Sequence, residues 1–434
     1  MNKIFTLLFL LMCSNLFGMV LTLEEAKDIA LKNNNLIKAY EEEAKSAEYS
    51  LSIAKGGYAP KLDISQTIVS TDEPASAAFA KMAQGGFDFA YFNNKLSNPD
   101  SVTNYETKIE IIQPIYMKGK IYFGIKQAKE LLNAKKLTLS RVKENVIFNL
   151  YQAYYGKGVA EKALEVVKKS KERTQKYYEM SKDFYQNGLL VKSDLLVAES
   201  YLYQNEEALI SAQKQLEVAQ SYLQRILNLE ENIQIVWGNL SKTPPLEISA
   251  LKEIAYENRS DLKALERYLE ITALEVKKSK SEFAPEIVAF GNYKINDDRF
   301  LGENGRGFTL GLMAKINIFD GFSTPNKIKQ NRNNQMAFNY RIIDKKLEIA
   351  SEVKNAWYSL KAAEEKLQTN KKQLEASLKA LEISENRFKE GLIKVTELLD
   401  REVEVKDAEL RLTMAEYEVI LSQADLDFVT GKLK

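Results

Sequence analysis

The order of elements in this chain is written twice, and that repetition limits its fold more than any other property. The segment that ends in KGGYAP at Pro60 resembles the one that ends in KSEFAP at Pro285. Further on, NLYQAYY (149–155) aligns with EVKNAWY (352–358), pairing Ala153 with Ala356 and Tyr154 with Trp357. The same register, without a gap, pairs Gly188 with Gly391 and Asp194 with Glu397. Two halves follow, 19–245 and 246–434, the first carrying extra residues between Pro60 and Pro114. A period this long marks a duplicated domain rather than a solenoid unit.

Each half reads as one sequence of elements. A helix comes first, over 22–55 and again over 249–282; Thr22 and Glu25 have capping-box spacing, and Gly56-Gly57 supplies a stop. Two runs with period two follow, 61–70 and 105–116 in the first half, 286–295 and 307–319 in the second. In the last of these Phe308, Leu310, Leu312, Ala314, Ile316 and Ile318 share a face, the signature of a strand with one apolar side. Long helical patterns then cover 120–185 and 325–388, the second with Pro325 in its first turn, each roughly 100 Å at helical rise. Returning helices are expected over 194–229 and 397–429, making hairpins 120–229 and 325–430. At roughly 50 Å each covers half of its long partner, so two short helices stacked end to end match one long one. The stretch 228–245, with Trp237, Gly238, Pro244 and Pro245, reads as the linker between halves. The fold class is therefore mainly α with a small β part.

The reversals are FYQNGLLVKSDLLVAE (184–199) and RFKEGLIKVTELLDRE (387–402). Each carries an aromatic residue (Tyr185, Phe388), a glycine three residues on (Gly188, Gly391) and an acid six residues after that (Asp194, Glu397). Two helical tips thus lie at one end of the protein.

The 61 Lys+Arg against 60 Asp+Glu give no electrostatic case for nucleic acid. The sequence holds no His, which removes His-based triads and His metal ligands, and no cofactor is implied. A carboxylate-based hydrolase stays open in principle but has no pocket signature behind it. Residues 1–18, with Lys3 and a short apolar run, fit a secretory signal peptide. The single cysteine, Cys13, lies inside it and follows Met12 rather than the small residue that lipidation requires. Past residue 20 no apolar run is long enough for a transmembrane helix.

Strands of about ten residues fit a tilted membrane span. Four of them in lipid would leave edge N–H and C=O groups unpaired, at several kcal/mol each, so closure needs strands from other copies. Three copies would supply a twelve-stranded barrel; a soluble helical rod with a small β cap is the other reading. Residues 71–104 form a long loop whose Phe79, Phe87, Phe89, Tyr91 and Phe92 call for packing, either over a barrel mouth or as a surface Ω-loop with its own small core.

The duplicated order resembles the TolC family of outer-membrane efflux and secretion channels, over essentially the whole mature chain. The residues that carry the likeness are the two tips, the YAP and FAP joints, QPIYMKG and INIFDGF before the long helices, and LSNPDSVTNY in the loop. The resemblance implies a homotrimer with a twelve-stranded β-barrel in outer-membrane lipid and an α-helical tunnel across the periplasm. It implies a periplasmic adaptor and an inner-membrane pump of RND or ABC type as partners, serving efflux or type I secretion. It also implies an acidic ring at Glu397 and Asp400, and a tip gate involving Ser193, Asp194, Phe388 and Ile393. Phe388 and Ile393 stand where the family has a hydroxyl and an arginine, so closure is expected from apolar packing of Phe388 and Ile393 with Leu189 and Leu392. Adaptor docking maps to Asn187, Gly188, Leu189, Glu390, Gly391 and Leu392. A non-conducting periplasmic spacer built from the same hairpins is the alternative.

Overall fold

The structure, a computed structural model, describes residues 19–86, 89, 93, 95, 97–238 and 247–433. The expected signal peptide with Cys13, Pro244 and Pro245 of the linker, and Phe87, Tyr91 and Phe92 of the loop lie outside the described residues. In chain order the elements are β1 (Met19–Leu21), α1 (Leu23–Asn33), α2 (Asn35–Gly56), β2 (Lys61–Thr71), α3 (Pro74–Ala83), β3 (Val102–Met117), α4 (Lys120–Gln186) and α5 (Lys192–Leu227). There follow β4 (Ile233–Ile235), α6 (Ile248–Asn258), α7 (Ser260–Lys280), β5 (Glu286–Asp297), β6 (Gly305–Lys315), α8 (Ser323–Lys389) and α9 (Val395–Val429). The chain forms two compact units, one of Met1–Glu43, Lys136–Ala264 and Ile342–Lys434, the other of Ala44–Lys135 and Leu265–Arg341. Each draws on both halves of the sequence.

In the first unit the expected leading helices are each broken once, at equivalent positions of the repeat. Asn34 leaves helical geometry (ψ 123°), accepts the Leu36 N–H on its side chain at 3.0 Å and donates to Ile226 O at 3.0 Å. A side chain that caps the next turn while tying off a neighbouring helix competes with helix continuation. In the second half Arg259 breaks out similarly (ψ 118°) and is fully buried, its guanidinium on Asp261 at 2.6 and 3.0 Å and on Glu352. Burial opposes the Asp261 charge, but the hydrogen bonds and charge of Arg259, aided by Arg141 and Lys345, hold its carboxyl far below the usual range. Period counting is blind to such single-residue breaks, because the apolar stripe continues across them.

The core of this unit includes Tyr154, wholly buried among Leu21, Leu150, Leu223 and Ile233. Its hydroxyl lies 2.7 Å from Leu21 O and 3.0 Å from Val236 O, and accepts the Val236 N–H at 2.9 Å. It thus closes a two-stranded parallel ribbon of β1 and β4 that the sequence did not announce, three residues per strand being too short for a period. Trp237 of the linker meets Tyr155 edge-on at 5.7 Å.

The second unit holds one antiparallel sheet in the order β2-β3-β5-β6. Register sorts its residues onto two faces. One carries Ile64, Ile68, Tyr105, Ile109, Ile111, Tyr293, Phe308, Leu310 and Leu312. The other carries Asp63, Ser65, Thr67, Glu106, Lys108, Glu110, Asn292, Lys294 and Asn296, with Lys294–Glu106 paired at 3.0 Å and Lys108–Glu110 at 2.8 Å. Among the described residues the outer edges of β2 and β6 have no strand partner. The strand expected over 307–319 stops at Lys315. Lys315 pairs with Glu286, the first residue of β5, so the ladder ends there, and Asp320 beyond it takes the Thr324 N–H at 2.8 Å at the start of α8. Consecutive left-handed residues, Lys118-Gly119 and Gly321-Phe322, turn the chain before both long helices. The segment read as loop, 71–104, contains the helix α3, whose start is set by Pro74 in its first turn.

Candidate functional site: the hairpin tips

Both reversals are the same hydrogen-bonded device. In the first, Leu189 N–H reaches Phe184 O at 2.8 Å and Gly188 N–H reaches Tyr185 O at 3.0 Å; in the second, Leu392 reaches Arg387 O at 2.8 Å and Gly391 reaches Phe388 O at 2.9 Å. This is the Schellman pattern, which needs a left-handed residue at the glycine. Gly188 has φ 72° and Gly391 φ 74°, and a Cβ at either would meet nothing within 4 Å. Backbone conformation alone therefore selects glycine, and the surface beside it is open.

The structure divides the four apolar tip residues into two pairs. Phe388 is 1% exposed, packed with Tyr177, Ala198, Leu381, Val395, Leu398 and Leu399, and Ile393 joins that core at its margin. Its ring lies 5.5 Å from that of Phe184, so it bonds the two hairpins of one chain. Leu189 and Leu392 are instead 74% and 62% exposed. Asn187 and Glu390 are exposed beside the glycines. Ser193 is exposed and Asp194 half-buried in the first turn of α5. An acid there, like Glu397 in the first turn of α9, faces the positive end of a helix.

Glu397 and Asp400 lie three residues apart on an exposed face of α9. Asp400 accepts the Tyr201 hydroxyl from α5 at 2.8 Å, and that bond, followed by burial, raises the phenol above its ordinary value. Deeper in the same hairpins Arg173 Nε donates to Glu402 at 2.7 Å, and its Nη2 lies 3.5 Å from Glu409. Glu402 is 1% exposed, and its Oε1 has no hydrogen-bond partner among the described residues. Burial raises the Glu402 carboxyl against the opposing pull of Arg173. Asn205, also buried, donates to Thr174 at 2.9 Å and accepts from Lys406 at 3.3 Å. Tyr177 donates to Glu385, and burial with that bond raises its hydroxyl strongly. In these three links the donors, Arg173, Tyr177 and Tyr201, sit on the first hairpin and the carboxylates on the second. Nothing in the sequence pointed to Arg173, Tyr177, Tyr201 or Glu402, because each pairs with a residue about 200 positions away and no local spacing encodes that. Among the described residues no group of His, Cys, Asp or Glu is arranged to hold a metal ion.

A model of the outer membrane efflux protein family matches residues 27–229 and 251–432, nearly the whole chain. The chain belongs to that family. It is an outer-membrane efflux channel protein, not an enzyme. Solved structures agree on the fold. The Campylobacter jejuni CmeC outer membrane channel superposes with a TM-score of 0.81 at 16% identity, over 94% of this chain and 85% of that one. The open state of the Neisseria gonorrhoeae MtrE outer membrane channel gives 0.76 at 17% identity, over 95% and 89%. The Vibrio cholerae outer membrane protein VceC gives 0.76 at 14%, over 94% and 96%. No curated protein matches the sequence.

Proposed function

We propose that three copies form the exit duct of a tripartite efflux or type I secretion system, gated at the hairpin tips and driven by an inner-membrane pump through a periplasmic adaptor. The observation that carries this reading is the sheet: one face apolar, one charged, with both edges unpaired. In hydrocarbon those edges cost several kcal/mol per unpaired group, and closure with two further copies removes them. At the tips, threefold symmetry would bring six carboxylates, Glu397 and Asp400, around one axis, a ring that favours cations. Leu189 and Leu392 are the apolar groups free to narrow that aperture, while Phe388 and Ile393 hold each protomer's hairpins together.

Helical partners are supported by a further pattern. On α5, Leu196, Tyr203 and Ile210 recur at every seventh residue and are exposed, as is Leu189 in the turn before them. An unpaired heptad seam fits a coiled-coil hairpin laid beside it, beginning at the docking turns 187–189 and 390–392. The test is extraction from outer membranes followed by gel electrophoresis without boiling and by recording in planar bilayers. Heat-resistant trimers with ion conductance are expected; monomers that never conduct would favour the spacer reading.

A further inference from the structure

The helix α3 lies at the end of the sheet away from the long helices, and register decides which face it covers. Gly305 pairs with Asn296, and Asn296 with Glu106, so a Cβ at Gly305 would project from the charged face. It would stand 1.7 Å from Ala83 O, the last residue of α3. Only glycine allows that approach. Gln84, next in the chain, is buried, and its side-chain amide donates to Thr103 O at 2.8 Å, to Asn104 Oδ1 at 3.2 Å and to Asp297 O at 3.4 Å. Asn104 in turn donates to Asn296 at 2.8 Å on that same face. Val102, Asn296 and Gly305, all on the charged face, are buried here, whereas Ile68 and Phe308 on the apolar face at this end stay exposed. The helix therefore caps the water side of the sheet, not its lipid side.

The faces of α3 are equally unequal. Ala77 and Ala78 are buried, their small side chains permitting close approach. Phe79 lies across the helix from them and Met82 on its flank, 68% and 44% exposed. A large aromatic and a thioether exposed on the hydrophilic side of the sheet are out of place in a water-filled lumen lined by Glu106, Lys108 and Lys294.

We propose that Phe79 and Met82 of three copies form an apolar collar around the axis at the outer mouth, a second constriction that admits apolar or amphipathic small molecules and resists hydrated ions. This rests on the trimeric-channel reading. An apolar ring in a narrow lumen dewets, so ions meet a barrier that a greasy solute does not. The collar is anchored by Gln84 and the Gly305 contact rather than by loop packing alone, which makes it a built feature of the mouth. The occupant of each exposed α3 face is the same helix of the neighbouring copies, because threefold closure places the three on one axis.

Single cysteines test this in a background with Cys13→Ser. Phe79→Cys, treated with a short homobifunctional maleimide in isolated outer membranes, is expected to give covalently linked chains on denaturing gels. Ile64→Cys, on the lipid face, is expected to give none. A charged thiol reagent added from the side opposite the tips should lower the single-channel conductance of Phe79→Cys by about half or more, leaving Ile64→Cys unchanged. Met82→Cys serves the same purpose if Phe79→Cys fails to accumulate. Conducting, heat-resistant trimers in which neither collar thiol crosslinks or blocks would overturn the collar alone. Absence of trimers and conductance in the unsubstituted protein would instead sink the channel reading beneath it.

Discussion

Arg173 of the first hairpin and Glu402 of the second meet at 2.7 Å inside the protomer, and the carboxylate's second oxygen has no partner among the described residues. A buried charge with one oxygen unpaired is a stressed arrangement: each partner needs the other more than the fold needs the pair. Arg173→Met is therefore expected to destabilise by about 3–5 kcal/mol, because it strands the Glu402 charge. The double variant Arg173→Met/Glu402→Met should recover most of that loss, since no buried charge remains. Thermal melting followed by helical circular dichroism measures both; a double variant as unstable as the single one would refute the stressed-pair account.

Acid and base act oppositely on two carboxylates, one buried and one half-buried. Burial raises Glu402 above its reference value of 4.5, so its share of stability is complete below that value and is lost as pH rises through the raised one. Arg259 depresses Asp261 below its reference value of 3.8, so its share is complete above that value and is lost as pH falls toward the depressed one. Glu402→Gln should thus flatten the decline of melting temperature on the alkaline side of 4.5, and Asp261→Asn the decline on the acid side of 3.8. If melting profiles of both variants run parallel to the parent across these windows, neither residue carries the linkage.

The two apolar pairs at the tip predict a separation of stability from gating. Phe388→Ala removes a side chain that is 1% exposed and should cost about 3–5 kcal/mol, with looser hairpins. Leu189→Ser and Leu392→Ser alter exposed surface and should stay within about 0.5 kcal/mol of the parent. Their effect is expected in the bilayer, as a raised closed-state conductance. A stable Phe388→Ala protein, or leucine variants that melt early, would reverse the assignment.

What the sequence disclosed and what it hid follow from the range of the interactions. The long helices α4 and α8 end within a residue or two of where their period breaks, and Gly188 and Gly391 stand where a left-handed turn needs them. The strands were legible because alternation is a local property that Phe308, Leu310 and Leu312 state plainly. The breaks at Asn34 and Arg259 were hidden, since their cause is a partner elsewhere, Ile226 O or Glu352. The helix α3 was hidden in a stretch rich in Gly, Asn and Ser, its ten residues being too few to impose a period. Phe388 was legible as a residue without a donor, but its inward direction depends on Phe184 and Leu398, which only the folded hairpins bring to it.

The Tyr201–Asp400 bond predicts how the aperture charge is set. Asp400 is exposed, yet one of its oxygens is engaged at 2.8 Å by a phenol from the other hairpin. Tyr201→Phe keeps the ring and removes the donor, so the carboxylate loses its charge-assisted partner and the two hairpins lose one of the polar links between them. Closed-state conductance is expected to rise, and the preference for cations to strengthen as Asp400 turns wholly to the aqueous aperture. Asp400→Asn should also raise conductance, because the amide makes a weaker link, but should shift the reversal potential in a salt gradient toward less cation selectivity. Both substitutions weaken the same link between the hairpins, and they leave opposite charge states at residue 400. Opposite shifts in reversal potential therefore report Asp400 as a charge at the aperture, while identical shifts would confine it to a structural tie between hairpins.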